Sequence, residues 1–341
     1  MKYLLGSKEE FWKFVESISE GDKVGIITHT DLDGIASAIF LEMILNSKDI
    51  KINSLHFIRY KLGMFNSVLP ELEKNNITKV FLTDMYADGT DAEGFEKLKE
   101  KFDVFVIDHH PLVDKNAKNV IKTQSSDCSA FAIYDLGEEI IDKEKWKWLV
   151  YATMISEMSH KNPVNMGVIR KDYPDTNEVN ILNSPLGEIA KNISSALIYF
   201  GSNIKKIYDL IKKNDLKEFE KARKIIDSEI ENWEKDFKRN AEYYPEKEIY
   251  IYYFEPKYDI SSIFSTILSM KELDKSFVII ALGKTGLKLS ARNQSKKQDM
   301  AALLKKGIQG LKDAVAGGHI PAAGGSCLRE DLAKFKENLL K

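Results

Sequence analysis

The chain has 341 residues, 43% of them hydrophobic and 30% charged, and a formal net charge of −2. That length accommodates two domains with buried cores, and the near-neutral balance excludes a protein that coats long nucleic acid electrostatically. The two cysteines, Cys128 and Cys327, form no CxxC pair, which excludes a disulfide framework or a thiolate zinc site. With no leader-like opening and no apolar run long enough to cross a bilayer, a cytoplasmic protein without a membrane partner is expected.

In chain order, residues 5–18 read as a helix with Phe11, Phe14 and Val15 on one face, followed by an apolar strand over 24–28 and a helix over 35–45. The strand runs out into His29, Asp31 and Asp33, three good metal ligands at alternate positions, before Gly34 turns the chain into helical spacing. Open α/β sheets bind ligands at that edge. Two carboxylates and an imidazole so close together desolvate and repel one another unless cations lie between them. A polar strand-to-helix turn with Asp33 as the helix cap is the plainer alternative.

A strand over 54–58 and a helix over 68–74 lead to Lys79-Val80-Phe81-Leu82-Thr83-Asp84, a second apolar run that ends on a carboxylate. After a helix over 92–101, a third strand ends on Asp108-His109-His110, and Pro111 turns the chain away. Strands and helices alternating in this way imply an α/β fold with a mainly parallel sheet flanked by helices. All three strands deliver ionisable groups to one edge.

Residues 129–160 read as two helices, with Glu157 and His160 on one face of the second, as a metal pair or as a surface contact. Residues 161–185 read as an irregular loop, and helical periodicity returns over 186–243. From 248 onward strands are expected over 249–254, 277–281 and 287–291, with helices over 261–270 and 299–306. The stretch from Ala316 to Ser326 holds two glycine pairs around His319. Such glycines let backbone amides approach an anion, or simply permit a tight packing turn. Arg292 ends the strand before it and is suited to a two-pronged hold on phosphate. Three regions are expected: a metal-binding domain over 1–185, a helical connector over 186–244, and a smaller α/β domain over 245–341. The last carries 16 Lys and Arg against 11 Asp and Glu, a net of +5, leaving −7 for the rest. A basic domain beside an acidic one suits an anionic substrate, although an ordinary solvated surface explains the charge as well.

His29-x-Asp31-x-Asp33-Gly34, the lone Asp84, and Asp108-His109-His110 together resemble the DHH phosphoesterase superfamily. Gly317-Gly318-His319, Ala322-Ala323-Gly324-Gly325 and Ser290-Ala291-Arg292 resemble its DHHA1 C-terminal domain. The resemblance implies two divalent cations, manganese first and magnesium as the alternative. His29 and Asp31 would hold one, Asp33 and His109 the other, and Asp84 would bridge them. It implies further that Asp108 orients a histidine, that His110 faces the substrate phosphate as donor or acid, and that Arg292, Asn293, Gly317, Gly318 and His319 contact substrate. The family commonly has one more Asp ligand after the DHH motif. The comparable segment here offers Glu157 instead, so that ligand is either shifted or lost.

Hydrolysis of phosphodiester bonds in short oligonucleotides or in cyclic or linear dinucleotides follows as the expected activity, with such a molecule as the partner and a homodimer left open. The oligoribonuclease and dinucleotide phosphodiesterase branch is the nearest match. A RecJ-like single-strand exonuclease, a phosphomonoesterase acting on an adenosine bisphosphate, and a non-catalytic nucleotide-binding module are the competing readings.

Overall fold

The run from Val24 to Ile27 is apolar on both faces, which is the pattern of a parallel strand covered by helices on each side. In the structure, a computed structural model describing residues 1–341, it lies in the second strand of a five-stranded sheet. The chain divides into two compact units, Met1–Glu220 and Lys221–Lys341.

The first unit opens with α1 (Lys8–Glu16), capped by Ser7, and continues through β1 (Val24–His29), α2 (Leu32–Asn46), β2 (Ile52–Ile58), α3 (Leu69–Lys74) and β3 (Lys79–Thr83). Next come the short α4 (Ala87–Thr90), α5 (Ala92–Lys101), β4 (Asp103–Asp108) and β5 (Val120–Lys122). The helices α6 (Ser129–Leu136), α7 (Lys143–Ser156), α8 (Pro163–Asp172), α9 (Pro185–Phe200) and α10 (Ile204–Lys212) complete it, with the first residues of α11 (Lys217–Asn240). The sheet order is β2-β1-β3-β4-β5, parallel throughout. In a doubly wound sheet of this order the strand sequence reverses between β1 and β3, and ligands bind beyond the C-terminal ends of those strands. His29 and Asp84 sit at or just beyond those two ends.

Alternation along β3 shows how the sheet is held. Val80 and Leu82 join Ile27, Val104 and Val106 against Leu72 of α3 and Leu98 of α5. Phe81 points the other way, into a cluster with Phe11 and Phe14 of α1 and Phe105 of β4, its ring 5.2 Å from that of Phe14. No helix is long and apolar enough to cross a membrane.

The second unit holds the rest of α11, then β6 (Glu242–Tyr244), β7 (Ile249–Phe254), α12 (Ser261–Lys271), β8 (Ser276–Leu282), β9 (Gly286–Arg292) and α13 (Met300–Gly307), and ends with β10 (Val315–His319), β11 (Ala322–Leu328) and α14 (Leu332–Leu340). Its sheet runs β10-β11-β9-β8-β7-β6, antiparallel except for β7 and β8, which α12 joins as a crossover. One face packs on α13 and α14 through Leu304, Phe335 and Leu339.

Several expectations change. Residues 161–185 are not irregular: α8 begins at Pro163, and Asn162 caps it by accepting from Val164 N at 3.0 Å. Asn and Pro, read as breakers, are there the start signal of a helix. The stretch expected as a connector, 186–244, divides between the units, with α9 and α10 in the first. The glycine-dense stretch, for which a tight packing turn is one expectation, is a strand hairpin, β10 and β11. Phe81 is fully buried, so Phe81→Ala is expected to destabilise the protein by about 3–5 kcal/mol in chemical denaturation.

Candidate metal centre

The turn from β1 into α2 is built by local hydrogen bonds. Asp31, not Asp33, caps α2: its Oδ1 accepts from Gly34 N at 3.0 Å, while its Oδ2 lies 2.6 Å from His29 Nδ1. Thr83 Oγ1 donates to Thr28 Oγ1, and Thr28 Oγ1 donates to the Gly34 carbonyl, both at 2.9 Å, latching the ends of β3 and β1 to the start of α2. A Cβ on Gly34 would stand 2.3 Å from the His29 carbonyl oxygen, so only glycine permits this close return.

Asp33 therefore lies inside the first turn of α2, fully buried. Its two oxygens accept from Ser129 N and Ala130 N, each at 2.7 Å. These are the free amides that open α6, whose own cap residue, Cys128, provides no side-chain bond. Asp33 caps α6 from nearly a hundred residues away, a placement that suits both the helix dipole and the carboxylate.

Asp84 follows β3 with φ of 53°, a left-handed backbone unusual for any residue but glycine or Asn/Asp. The conformation is held by Asp84 N donating to the Ile107 carbonyl at 3.0 Å and by Tyr60 Oη donating to the Asp84 carbonyl at 2.9 Å. It sets the carboxylate between two imidazoles. Asp84 Oδ2 lies 3.8 Å from His29 Nδ1, and Oδ1 lies 3.4 Å from His109 Nε2. His109 Nε2 is also 3.8 Å from Asp33 Oδ2. Asp84 Oδ2 and His109 Nδ1 are buried and have no hydrogen-bond partner. Two clusters of potential ligand atoms thus share Asp84: His29, Asp31 and Asp84, and Asp84, His109 and His110.

Electrostatics single out the same group. Burial pushes the Asp84 carboxyl well above the usual carboxylate range, and the neighbouring Asp33 and Asp31 raise it further. Asp33 is raised by burial too, against the pull of His109 and its two amides. For Asp31, contact with His29 and the Gly34 amide outweighs desolvation and leaves it low. Glu157, pushed up to about 9 by burial and by Asp31 and Asp33, completes the acidic surround. Each upward shift is a carboxylate short of positive charge. Divalent cations fit this donor set of hard oxygens and imidazole. The nearby Cys128 thiol, raised well above its usual range by burial and by Asp33, offers no thiolate.

The DHH segment adds a hydrogen-bonded chain. Asp108, buried, is 2.8 Å from His110 Nδ1 through Oδ1 and 2.5 Å from Lys122 Nζ through Oδ2. The His110 bond and the Lys122 charge outweigh desolvation and hold Asp108 below its usual range. His110 Nε2 is 3.2 Å from Tyr60 Oη, and its ring stacks on Tyr86. Sequence reasoning missed Lys122, Tyr60, Tyr86 and the Ser129 and Ala130 amides. The expected Glu157–His160 helical pair does not form. Helix α7 ends at Ser156, Met158 takes φ of 56°, and His160 turns inward in a 3₁₀ turn, 1% exposed.

In the second unit, His319, Ala322, Arg292, Phe277 and Tyr250 stand opposite one another across five strands and so share one face. Gly317 and Gly324 pair two residues along on that face, exposed and bare of side chains. Arg292 Nη2 donates to Ser262 Oγ at 3.1 Å, and its Nε is buried without a partner. Gly318 has φ of 138°, and a Cβ there would stand 2.4 Å from the Ala322 carbonyl oxygen. Asn293, expected to contact substrate, is instead 1% exposed, with its amide engaged with Ser276, Ser295 and Lys297. For the metal-side turn, Gly34→Ala forces backbone apart, and a loss of about 1–3 kcal/mol or more is expected in denaturation.

Residues 23–167 match the family model described as the DHH family, N-terminal domain. No curated protein has a sequence that matches this chain. Exonuclease RecJ bound to manganese superposes with a TM-score of 0.70 at 17% identity, over 97% of this chain and 92% of that one. RecJ from Thermus thermophilus in complex with Mn²⁺ gives 0.68 at 16% identity over 97% of this chain, which spans about half of that protein (53%). A DHH domain from a protein described as a member of a family of ribosomal proteins gives 0.68 at 17% identity, covering 100% of this chain and 94% of that one. These likenesses establish a common fold. With the family model lying on the segment that carries His29, Asp31, Asp33, Asp84 and Asp108-His109-His110, residues 23–167 form a DHH-family N-terminal domain.

Proposed function

We propose that the protein is a divalent-metal-dependent phosphoesterase that hydrolyses phosphodiester bonds in short oligonucleotides or in cyclic or linear dinucleotides. The observation that carries this reading is the Asp84 carboxylate, with one oxygen toward His29, the other toward His109, and Oδ2 buried without a partner. His29 and Asp31 would hold one cation, Asp33 and His109 a second, with Asp84 shared and Glu157 as an additional ligand. Asp33 retains a lone pair on each oxygen beyond the one given to an amide. Manganese is the expected ion and magnesium the alternative. Such a pair, when bound, supplies Lewis acidity and an acidified water.

The remaining tasks fall to the chain. His110 presents Nε2 beside Tyr60, where it meets a phosphate oxygen or the departing oxygen and, when the ring carries its second proton, donates to it. Tyr60, its phenol held protonated by burial and by Asp84, links that imidazole to the backbone that sets Asp84. Asp108 keeps the His110 ring in place. The second unit is read as DHHA1-like. Arg292 grips a phosphate, His319 contacts the terminal nucleotide, and the bare Gly317 and Gly324 leave space for a flat ring.

A RecJ-like exonuclease is the second reading, favoured by the RecJ structures among the similar folds. Substrate length separates the two: dinucleotides turning over faster than long single strands support the first reading, and the reverse supports the second. For either, Asp84→Ala is expected to lower Mn²⁺-dependent cleavage about 10³-fold, the equivalent of several kcal/mol of lost stabilisation. Undiminished turnover by the folded variant would remove the proposal.

A further inference from the structure

Lys122 is a buried cation at the edge of the candidate site, its side chain 4% exposed. Its ammonium lies 2.5 Å from Asp108 Oδ2 and 3.3 Å from the His110 carbonyl oxygen, so it grips both the acid and the backbone of the histidine. The strand that carries it is fixed from the other side. Leu4 N donates to the Lys122 carbonyl at 2.7 Å, and Lys122 N donates to the Leu5 carbonyl at 3.0 Å. Gly6, with φ of 79°, lets that segment close on β5, since a Cβ there would stand 1.9 Å from the Val120 carbonyl oxygen.

A carboxylate only accepts hydrogen bonds, so the contact between Asp108 Oδ1 and His110 Nδ1 requires the proton on Nδ1. Nε2 is then the ring atom facing Tyr60. The arrangement holds only while Asp108 keeps its orientation, and Oδ2 has one side-chain partner to keep it there, the Lys122 ammonium. Without it a fully buried oxygen would be left unpaired, and the carboxylate would turn to recover a partner.

We propose that Lys122 is a positioning residue: by anchoring Asp108 Oδ2 it aims Oδ1 at His110 and fixes that ring with its proton on Nδ1 and Nε2 toward the substrate. The consequence for rate rests on the phosphoesterase reading above; the consequence for the ring does not.

The test is the nitrogen-15 spectrum of His110 in metal-free protein at a fixed pH, paired with steady-state kinetics in manganese. The wild-type ring should carry its proton on Nδ1. In Lys122→Met the Nδ1 preference should fall to a mixture, with kcat lowered about 10²-fold and KM held within about twofold. Lys122→Arg, which keeps the charge and the donors, should preserve the wild-type ring. If Lys122→Met does not fold, the same shift is expected in Lys122→Gln. A wild-type ring protonated on Nε2 alone, or a folded neutral variant with wild-type ring populations, overturns the proposal. Absence of turnover in the wild type would remove the phosphoesterase reading while the nitrogen spectrum still decides the role of Lys122.

Discussion

A buried carboxylate with too little positive charge around it is the constraint on which the first unit depends. Asp84 is 2% exposed, takes a left-handed backbone, and keeps one oxygen unpartnered. Asp31, Asp33, Asp108 and Glu157 all act on it with the same sign. Removing such a group from water costs several kcal/mol unless something pairs with it. The fold supplies an imidazole on either side of it. Strained and under-compensated groups of this kind persist where surrounding structure holds them, and they mark functional sites.

What holds the site is rigid and largely backbone-built. Ends of β1, β3 and β4 each contribute one part, and the parallel ladder keeps them in register. The Thr83–Thr28–Gly34 latch, the Asp33 cap on α6 and the Lys122–Asp108–His110 chain each tie one part of the site to the structure around it. Support of this kind keeps reacting groups within the small tolerances that chemistry requires. The aromatic cluster under the sheet and the helices around it provide the stability against which the acidic site is set.

Much of this is legible in the residues. Apolar runs ending in Asp or His mark three strand ends at a common edge, and β–α alternation marks a parallel sheet. The rest depends on partners that no local pattern shows. Asp33 meets Ser129 and Ala130 across nearly a hundred residues, so its capping role is invisible from its own neighbourhood. Lys122 sits in a three-residue strand, too short for periodicity to reveal. Asn162-Pro163 reads as a loop although it starts a helix, and spacing puts Glu157 and His160 on one helix face although Met158 turns the chain between them. The glycines around His319 serve close approach of two strands at Gly318, a demand of pairing that reads in sequence as a tight turn.

The central claim is that Asp84 is shared between two cations. Anomalous scattering from crystals soaked in manganese tests it most directly. The account predicts two peaks on either side of the Asp84 carboxylate, one against His29 and Asp31 and the other against Asp33 and His109. No peak within bonding distance of Asp84, or a lone ion held without it, would contradict the account.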